Sequence, residues 1–376
     1  MSDLQQEVLY HQVQPQSIQS EYNQFNQVDF LLSVGEGRSL VKNSVRVVGD
    51  VQVQSASGSP GTRAAGGIRF NRNVGAHAFI DSVSVSSANM GLMETLNSYP
   101  RWVNTSAVTS LSNLDMLNAS NQCELRGVNN KVMGDYSDGI TQTIATGTAV
   151  VKDADFSIKP MCCLNRMSGD DLPFDKSGIL TMNLNLARNM DALFGQQQDA
   201  NSLYILTNLR CSYRSVVTPK APGQTVMRVE YSVKSNILSG TASLSANIPA
   251  VCQGVTMNFI QTQHDSVPVY DSYTLESLQQ LESMAFIMND KTNSLITYNL
   301  TDTTEILERA VSSMSESGHN QVSLDKYRAN CSFVAGLDFD GGINLSQNRF
   351  TFQVVSGVNN ANPVNVYSYF HSAITV

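Results

Sequence analysis

Histidines, cysteines and paired carboxylates are the side chains best able to do acid–base or metal chemistry near neutral pH. The chain has 376 residues and five histidines, His11, His77, His264, His319 and His371, and no two fall at a zinc-chelating spacing. His77 and His371 sit at the edges of strand-like segments, which suits polar strand residues better than ligands. The six cysteines are Cys123, Cys162, Cys163, Cys211, Cys252 and Cys331. None forms C-x-x-C, and the adjacent Cys162 and Cys163 are poorly placed to share one metal. Cys211 alternates with Leu209 and Tyr213, as a small apolar strand residue does. The set reads as reduced thiols of a protein made in a cytoplasm.

Asp338-Phe339-Asp340-Gly341-Gly342 offers two carboxylates and flexible backbone, the beginnings of an oxygen-liganded cation loop. It lacks the remaining ligand spacing of an EF-hand, so a turn ending a strand accounts for it better. The sequence alone leaves open whether Asp338 and Asp340 hold a cation. Asp170-Asp171, before Pro173, reads as an exposed loop. Gly35-Glu36-Gly37 and the stretch Gly58–Gly67 are glycine-rich, but neither gives G-x-x-x-x-G-K-S/T nor opens a clear helix. G-x-S-x-G and H-E-x-x-H are absent. No residue is assigned a catalytic, cofactor-binding or metal role, and the expectation is a non-enzymatic protein without cofactors.

Charged residues make up 15% of the chain, against about 25% in an average soluble domain. Low charge with abundant Asn, Ser, Thr and Gln suits a chain that buries much of its surface against neighbours. The net charge of −8 argues against a broad nucleic-acid face. The densest basic stretch, Arg63, Arg69 and Arg72, lies beside glycine-rich sequence and reads as a solvated loop. No apolar run of about 18 residues appears, and the N-terminus has no secretory signal pattern, so the expectation is a protein that is not secreted. Five sequons begin at Asn104, Asn118, Asn299, Asn330 and Asn344, and without an export signal they read as composition.

The elements that would carry these residues are mostly strands. Residues 1 to about 28 are Gln-rich, with Leu4, Val8 and Leu9 able to line a short helix that Pro15 would end. This stretch is expected to be an arm, about residues 1–30, ordered only against a neighbour. From residue 40 a period of two dominates: Val45 and Val47, Val51 and Val53, Val83 and Val85, then Leu180, Met182, Leu184 and Leu186. Leu203, Ile205, Leu209, Cys211 and Tyr213 follow, and Thr218-Pro-Lys-Ala-Pro-Gly-Gln224 then breaks the pattern as a linker. Alternation restarts at Met227, Val229, Tyr231 and Val233, with further strands at 241–248, 255–262, 331–339, 350–355 and 364–376. Helices are expected at about 92–103, about 274–289 and 303–314. Trp102, after Pro100, would be an exposed contact or a buried anchor on the first of these.

The halves share a layout. Met93-Glu-Thr-Leu-Asn-Ser-Tyr99 parallels Leu275-Glu-Ser-Leu-Gln-Gln-Leu281, and each half ends strand, loop, strand: Leu180–Leu186, the loop carrying Gln196–Asn201 and Leu203–Val217, against Phe350–Val355, Gly357–Pro363 and Val364–Val376. This suggests a duplicated β domain. So many strands must close or stack to protect their edges, and long loops with a helix favour jelly rolls over up-and-down barrels. The fold class is therefore all-β: two tandem eight-stranded jelly rolls with a few short helices in loops. The expected divisions are the arm 1–30, one roll at 31–217, a linker at 218–224 and a second roll at 225–376.

These segments resemble a known family. His77-Ala-Phe-Ile-Asp-Ser-Val-Ser-Val85 followed by Met90-Gly-Leu-Met-Glu-Thr-Leu-Asn-Ser-Tyr99 is similar to a recurrent feature of double jelly-roll capsid proteins. Gly178–Met190 with Leu203–Val217 resembles the last two strands of that family's first roll, and Gly342–Phe352 with Val364–His371 the end of its second. The lineage joins tectivirus-like tailless phages, adenoviruses and many large DNA viruses. The resemblance spans residues 30 to 376 as a pattern, without a diagnostic motif. It implies a major capsid protein: a homotrimer whose six rolls make a pseudo-hexagonal tile of an icosahedral shell, with penton and minor capsid proteins as further partners. It also implies location in the virion, and an N-terminal arm inside, near an internal membrane or minor protein. Specific nucleic-acid binding is not expected.

Two other readings use the same β framework. A virion spike or receptor- or glycan-binding protein would expose an aromatic-lined pocket at one end of a sandwich. A β-rich hydrolase would gather carboxylates in a groove.

Overall fold

Alternate residues of Leu180–Leu186 are buried, with Leu180, Met182, Leu184 and Leu186 facing the core and Asn185 exposed. The same period-two rule, which places successive side chains on opposite faces of a sheet, generates most of the molecule. The computed structural model describes residues 7–54, 68–69, 71, 73–111, 118–126, 141–143, 149–151, 154–195, 203–237, 241–276, 281–288, 296–299, 303–314, 333–356 and 363–376.

In the first half the principal strands are β1 (Leu9–Val13), β2 (Gln27–Leu32), β3 (Arg38–Leu40), β4 (Arg46–Gln54), β5 (Ile80–Ser87), β6 (Gly91–Leu96), β7 (Ala154–Ile158), β8 (Leu180–Leu186) and β9 (Leu203–Val217). Strands β3 and β4 pair with successive stretches of β9 and act as one interrupted strand. One sheet then runs β1, β9, β3/β4, β7 and the other β2, β8, β5, β6. In the second half the strands are β10 (Thr225–Ile237), β11 (Thr241–Ala246), β12 (Val251–Gln261), β13 (Leu281–Met288), β14 (Ile296–Asn299), β15 (Val334–Asn344), β16 (Phe350–Ser356) and β17 (Val364–Thr375). Their sheets run β10, β17, β12, β15 and β11, β16, β13, β14.

Counted within each half, the order is the same: first, eighth, third, sixth in one sheet and second, seventh, fourth, fifth in the other. That is the connectivity of an eight-stranded jelly roll, repeated. Helix α1 (Tyr99–Ser110) follows the fifth strand of the first roll, and α2 (Thr303–Ser313) follows the fifth strand of the second. Residues 218–224 join the rolls without strand or helix. A single parallel bridge, Thr95 to Tyr231, joins β6 to β10, so one sheet continues from the first roll into the second.

Three sequence expectations need correction. The stretch expected to be a free arm supplies β1, which pairs antiparallel with β9 from Leu9↔Ser215 to Val13↔Cys211. It also supplies Tyr22, which is 1% exposed and exchanges backbone hydrogen bonds with Leu206. Gln-rich composition hides this strand because β1 is an edge, with little to bury. The helix expected over 274–289 is instead strand β13, in which Met284 and Phe286 are buried and pair into β14 and β16. The helix expected over 92–103 is strand β6 as far as Leu96, then a left-handed Ser98 (φ 52°), and only from Tyr99 a helix, with Pro100 in its first turn. Leu, Met and Glu favour helices, but pairing overrides so weak a local preference. The internal repeat therefore equates α1 with α2, and not residues 93–99 with 275–281. The loops at Gly58–Gly67 and Gln196–Asn201 lie outside the described residues, as do 357–362 of Gly357–Pro363.

Each roll has its own core. The first gathers Phe30, Leu32, Val83, Val85, Leu184 and Leu206, and the second Phe259, Phe286, Phe350, Phe352 and Phe370. Aromatic rings dominate the second, with Phe286 5.4 Å from Phe352 and Phe350 5.4 Å edge-on to Phe370. Tyr273, Tyr367 and Tyr369 come from the second half of the chain yet pack into the first core.

Candidate assembly surface and inter-roll seam

Two features could serve a function beyond folding: a polar seam between the rolls and a set of exposed apolar side chains.

The seam begins with Glu94 on β6, which is 2% exposed. Its Oε2 accepts the Cys163 N–H at 2.6 Å and its Oε1 the Glu230 N–H of β10 at 2.9 Å. Glu230, also buried, accepts from Arg166 on one oxygen and from His371 Nδ1 on the other, at 2.6 Å. His371 Nε2 lies 2.6 Å from Thr256 Oγ1, which is 3.0 Å from Ser313 Oγ in α2. Trp102, on α1 and 2% exposed, packs beside His371 and Tyr369 with Arg166 over its ring. It is the buried anchor of the two alternatives. Burial pushes Glu94 up to about 7, whereas for Glu230 burial is outweighed by His371 and Arg166, which hold it below the usual carboxylate range.

A second contact is made by residues 262–276, between β12 and β13. Asp265 receives Arg101 of α1 at 3.2 Å, Tyr367 O–H at 2.6 Å, Asn365 at 2.7 Å and Lys234 at 3.1 Å. Asn104 donates to the Tyr273 carbonyl at 2.6 Å, and Tyr273 O–H to the Ala78 carbonyl at 3.2 Å. Asn71 donates to Asp271 at 2.7 Å. These hydrogen bonds satisfy the buried carboxylates and carbonyls of the seam, whereas the buried Trp102 Nε1 has no hydrogen-bond partner.

Two groups stand out among the exposed apolar side chains of the described residues. Leu31, Thr181, Ser86 and Leu92 are successive partners across the outer face of the β2, β8, β5, β6 sheet. Leu31 and Leu92 are exposed, and Ile179, just before β8, is exposed too. The second group lies at the N-terminal edge: Val8, Leu9, Tyr10, Ile18 and Phe25, with Tyr10 79% exposed. Edge strands and contiguous apolar surface invite pairing with another chain.

The histidines are dispersed. His77 is buried between Tyr99 and Glu124, His11 bonds Ser215 at 2.8 Å, and His264 bonds Glu276 at 2.5 Å. His319 lies outside the described residues, as do Cys331, Asn330, Arg63 and Arg72. Among the described residues no three His, Cys, Asp or Glu side chains gather as a metal site, and Cys123, Cys162, Cys163, Cys211 and Cys252 are free thiols. Asp338 and Asp340 do not end a strand: β15 continues to Asn344 past a bulge opposite Cys252–Gly254, made by Asp340, Gly341 and Gly342 at positive φ. Asp170 accepts from Gly223 at 2.6 Å, and Asp171 from Lys42 at 2.8 Å. Asn104 is buried, and Asn118 caps the helix Ala119–Cys123. The seam residues Glu94, Arg166, Glu230, Arg101 and Asp265 escape sequence reading. The available signal is a carboxylate within an alternating strand, as in Val229-Glu230-Tyr231.

Comparison with solved structures follows directly from this connectivity. The Faustovirus major capsid protein superposes with a TM-score of 0.67 at 8% identity, covering 98% of this chain and 90% of that one. A chain of the PBCV-1 virus capsid superposes at 0.60 and 12% identity, covering 98% and 94%. The fold is that of viral double jelly-roll capsid proteins. The mavirus major capsid protein gives 0.53 at 12% identity, covering 97% and 86%. No family model and no curated protein matches the sequence. The double jelly roll is thus conserved in shape while nearly every residue differs.

Proposed function

We propose that this chain is a viral major capsid protein that forms homotrimeric capsomers of pseudo-hexagonal outline and tiles an icosahedral shell. The observation that carries the reading is the match of two complete jelly rolls, over nearly the full length of both chains, to major capsid proteins. The exposed apolar row at Leu31 and Leu92 and the β1 edge at Tyr10 supply surface of the kind that subunit contacts bury. In this reading the first roll starts at β1, residues 218–224 are the linker, and the second roll runs from 225 to 376. The work is done by burial and shape, without catalysis or cofactor. The protein resides in the virion, with penton and minor capsid proteins as further partners and an internal membrane beneath the N-terminal face.

Closed threefold symmetry gives each subunit two identical neighbours. A permanent interface of this kind buries on the order of 2,000 Å² or more. Light scattering and negative-stain imaging of purified protein test the reading together. Trimer mass and hexagonal outlines are expected. A monomer at micromolar concentration, with no assembly on concentration, would overturn it.

A further inference from the structure

An aspartate followed by glycine can rearrange without an enzyme. A five-membered ring closes when the glycine nitrogen attacks the aspartate side chain, and glycine, lacking a Cβ, hinders that approach least. The chain holds two such pairs, Asp138–Gly139 and Asp340–Gly341. The first lies outside the described residues. A regular strand protects such a pair, because ladder hydrogen bonds hold the amide and fix the backbone.

Asp340–Gly341 has no such protection. It lies in β15, which ends its sheet and, among the described residues, pairs with β12 alone. The register passes from Asp338↔Gly254 to Ile343↔Cys252, so Phe339 to Gly342 bulge opposite Gln253 and Gly341 has no cross-strand partner. Asp340 and Gly341 are both exposed. Asp340 has φ +27° and Gly341 φ +92°, and a Cβ at Gly341 would meet nothing within 4 Å. The Asp340 N–H donates to Asp338 Oδ1 at 3.1 Å, but among the described residues no hydrogen bond or ion pair engages the Asp340 carboxyl.

The aspartate–serine pairs, where the nitrogen is also little hindered, are held instead. Asp265, before Ser266, is gripped by Arg101, Tyr367, Asn365 and Lys234. Asp271, before Ser272, accepts from Asn71 and from the Tyr273 N–H. Ser82, after Asp81, is in register with Asn185 of β8.

We propose that Asp340–Gly341 is a modification site: it isomerises through a succinimide, and the isoaspartate formed is displayed on the β15 edge to a carboxyl methyltransferase. The Gly341 nitrogen attacks Cγ of the Asp340 carboxyl in its acid form. The N–Cγ bond forms, the Cγ–O bond to the hydroxyl breaks, and that hydroxyl leaves as water with the amide hydrogen. Water then adds at the Asp340 main-chain carbonyl and cleaves its bond to the Gly341 nitrogen. The chain now runs through Cβ and Cγ, with a free α-carboxylate beside it. One water leaves and one enters, so the mass is unchanged and no oxidant is needed. The backbone gains one atom, which a bulge already out of step with its partner strand absorbs. An oxygen of the α-carboxylate then takes the methyl group of S-adenosylmethionine, with S-adenosylhomocysteine as the leaving group. The chemistry does not depend on the capsid assignment.

The test incubates the intact protein for weeks in mildly acidic buffer, at a temperature well below unfolding. Tryptic peptide 329–349, which contains the pair, is expected to give a second chromatographic peak of unchanged mass that grows with time. Electron-transfer fragmentation, which cleaves the extra backbone carbon–carbon bond, is expected to place isoaspartate at Asp340. An isoaspartyl methyltransferase with labelled S-adenosylmethionine, acting on the aged folded protein, is expected to label that peptide. Asp340→Glu keeps the charge but needs a six-membered ring, and is expected to lose the second peak. Should that variant fail to fold, fragmentation of the parent protein decides alone. Asp340 left intact in the folded protein, even where the free peptide isomerises, would show that the bulge protects the pair and overturn the site. Isoaspartate at Asp340 that takes no label in folded protein would overturn its display to the methyltransferase.

Discussion

Arg101 lies over the ring of Tyr367 with its guanidinium carbon 4.2 Å from the ring centroid, although the two residues belong to different jelly rolls. Both also reach Asp265, Arg101 through Nη2 and Tyr367 through its hydroxyl. The carboxylate is buried, and so is the guanidinium, at 2% exposure.

Asp265→Ala leaves that guanidinium buried beside an empty site, and a loss of about 3–5 kcal/mol is expected in urea unfolding. Lys234 reaches the same carboxylate but is half exposed, so Lys234→Ala is expected to cost less than about 1 kcal/mol. Equal losses for the two variants would show that Arg101 is not the partner that matters.

Acid should weaken the first roll through His77. The Tyr99 hydroxyl, which accepts the Met161 N–H at 3.0 Å, lies 2.6 Å from His77 Nδ1, and Glu124 lies 3.3 Å from Nε2. Burial lowers the His77 pKa from its ordinary 6.5. A depressed pKa contributes stability above the unfolded value and loses it on acidification. Urea midpoints are expected to fall as pH drops below about 6.5, with a shallower slope in His77→Gln. Parallel slopes would place the acid sensitivity elsewhere.

Truncation at residue 29 removes β1 and Tyr22 together. The edge of β9 and part of the first core are then uncovered, so aggregation is expected in place of soluble protein. Tyr22→Ala alone, which also removes the hydroxyl bond to the Ser17 carbonyl, is expected to cost about 3 kcal/mol by chemical denaturation. Soluble, unchanged protein after truncation would restore the picture of an arm ordered only against a neighbour.

Gly75 opens the short helix Gly75–Phe79 at φ +62°, where a Cβ would stand 2.2 Å from the Glu124 carbonyl oxygen. Backbone must move to admit it, so Gly75→Ala is expected to destabilise by well over about 1 kcal/mol. A thermal midpoint equal to the parent's would contradict this geometry.

The sequence made strands legible where one face is buried and the other wet. Leu180–Leu186 and the alternation from Met227 appear in the structure as read, and α2 matches its expected span. It misled where local preference and pairing disagree. Leu281–Met288 carries Leu, Met and Glu and still forms a central strand, because β14 and β16 flank it. The seam was illegible for a different reason. Glu94 and Glu230 lie 136 residues apart in sequence, and nothing local to either marks the other. Polar pairing between residues so far apart in sequence is a property of topology and not of spacing.

The bridge between Thr95 and Tyr231 has a mechanical consequence. Because backbone pairing crosses from one roll to the other, a lateral load on the first roll enters the second through peptide hydrogen bonds as well as through side chains. Bending the subunit at its midline means shearing that sheet and pulling Arg101 off Tyr367 in the same movement. Flexure at the midline therefore works against that backbone bridge and the Arg101–Tyr367 contact together.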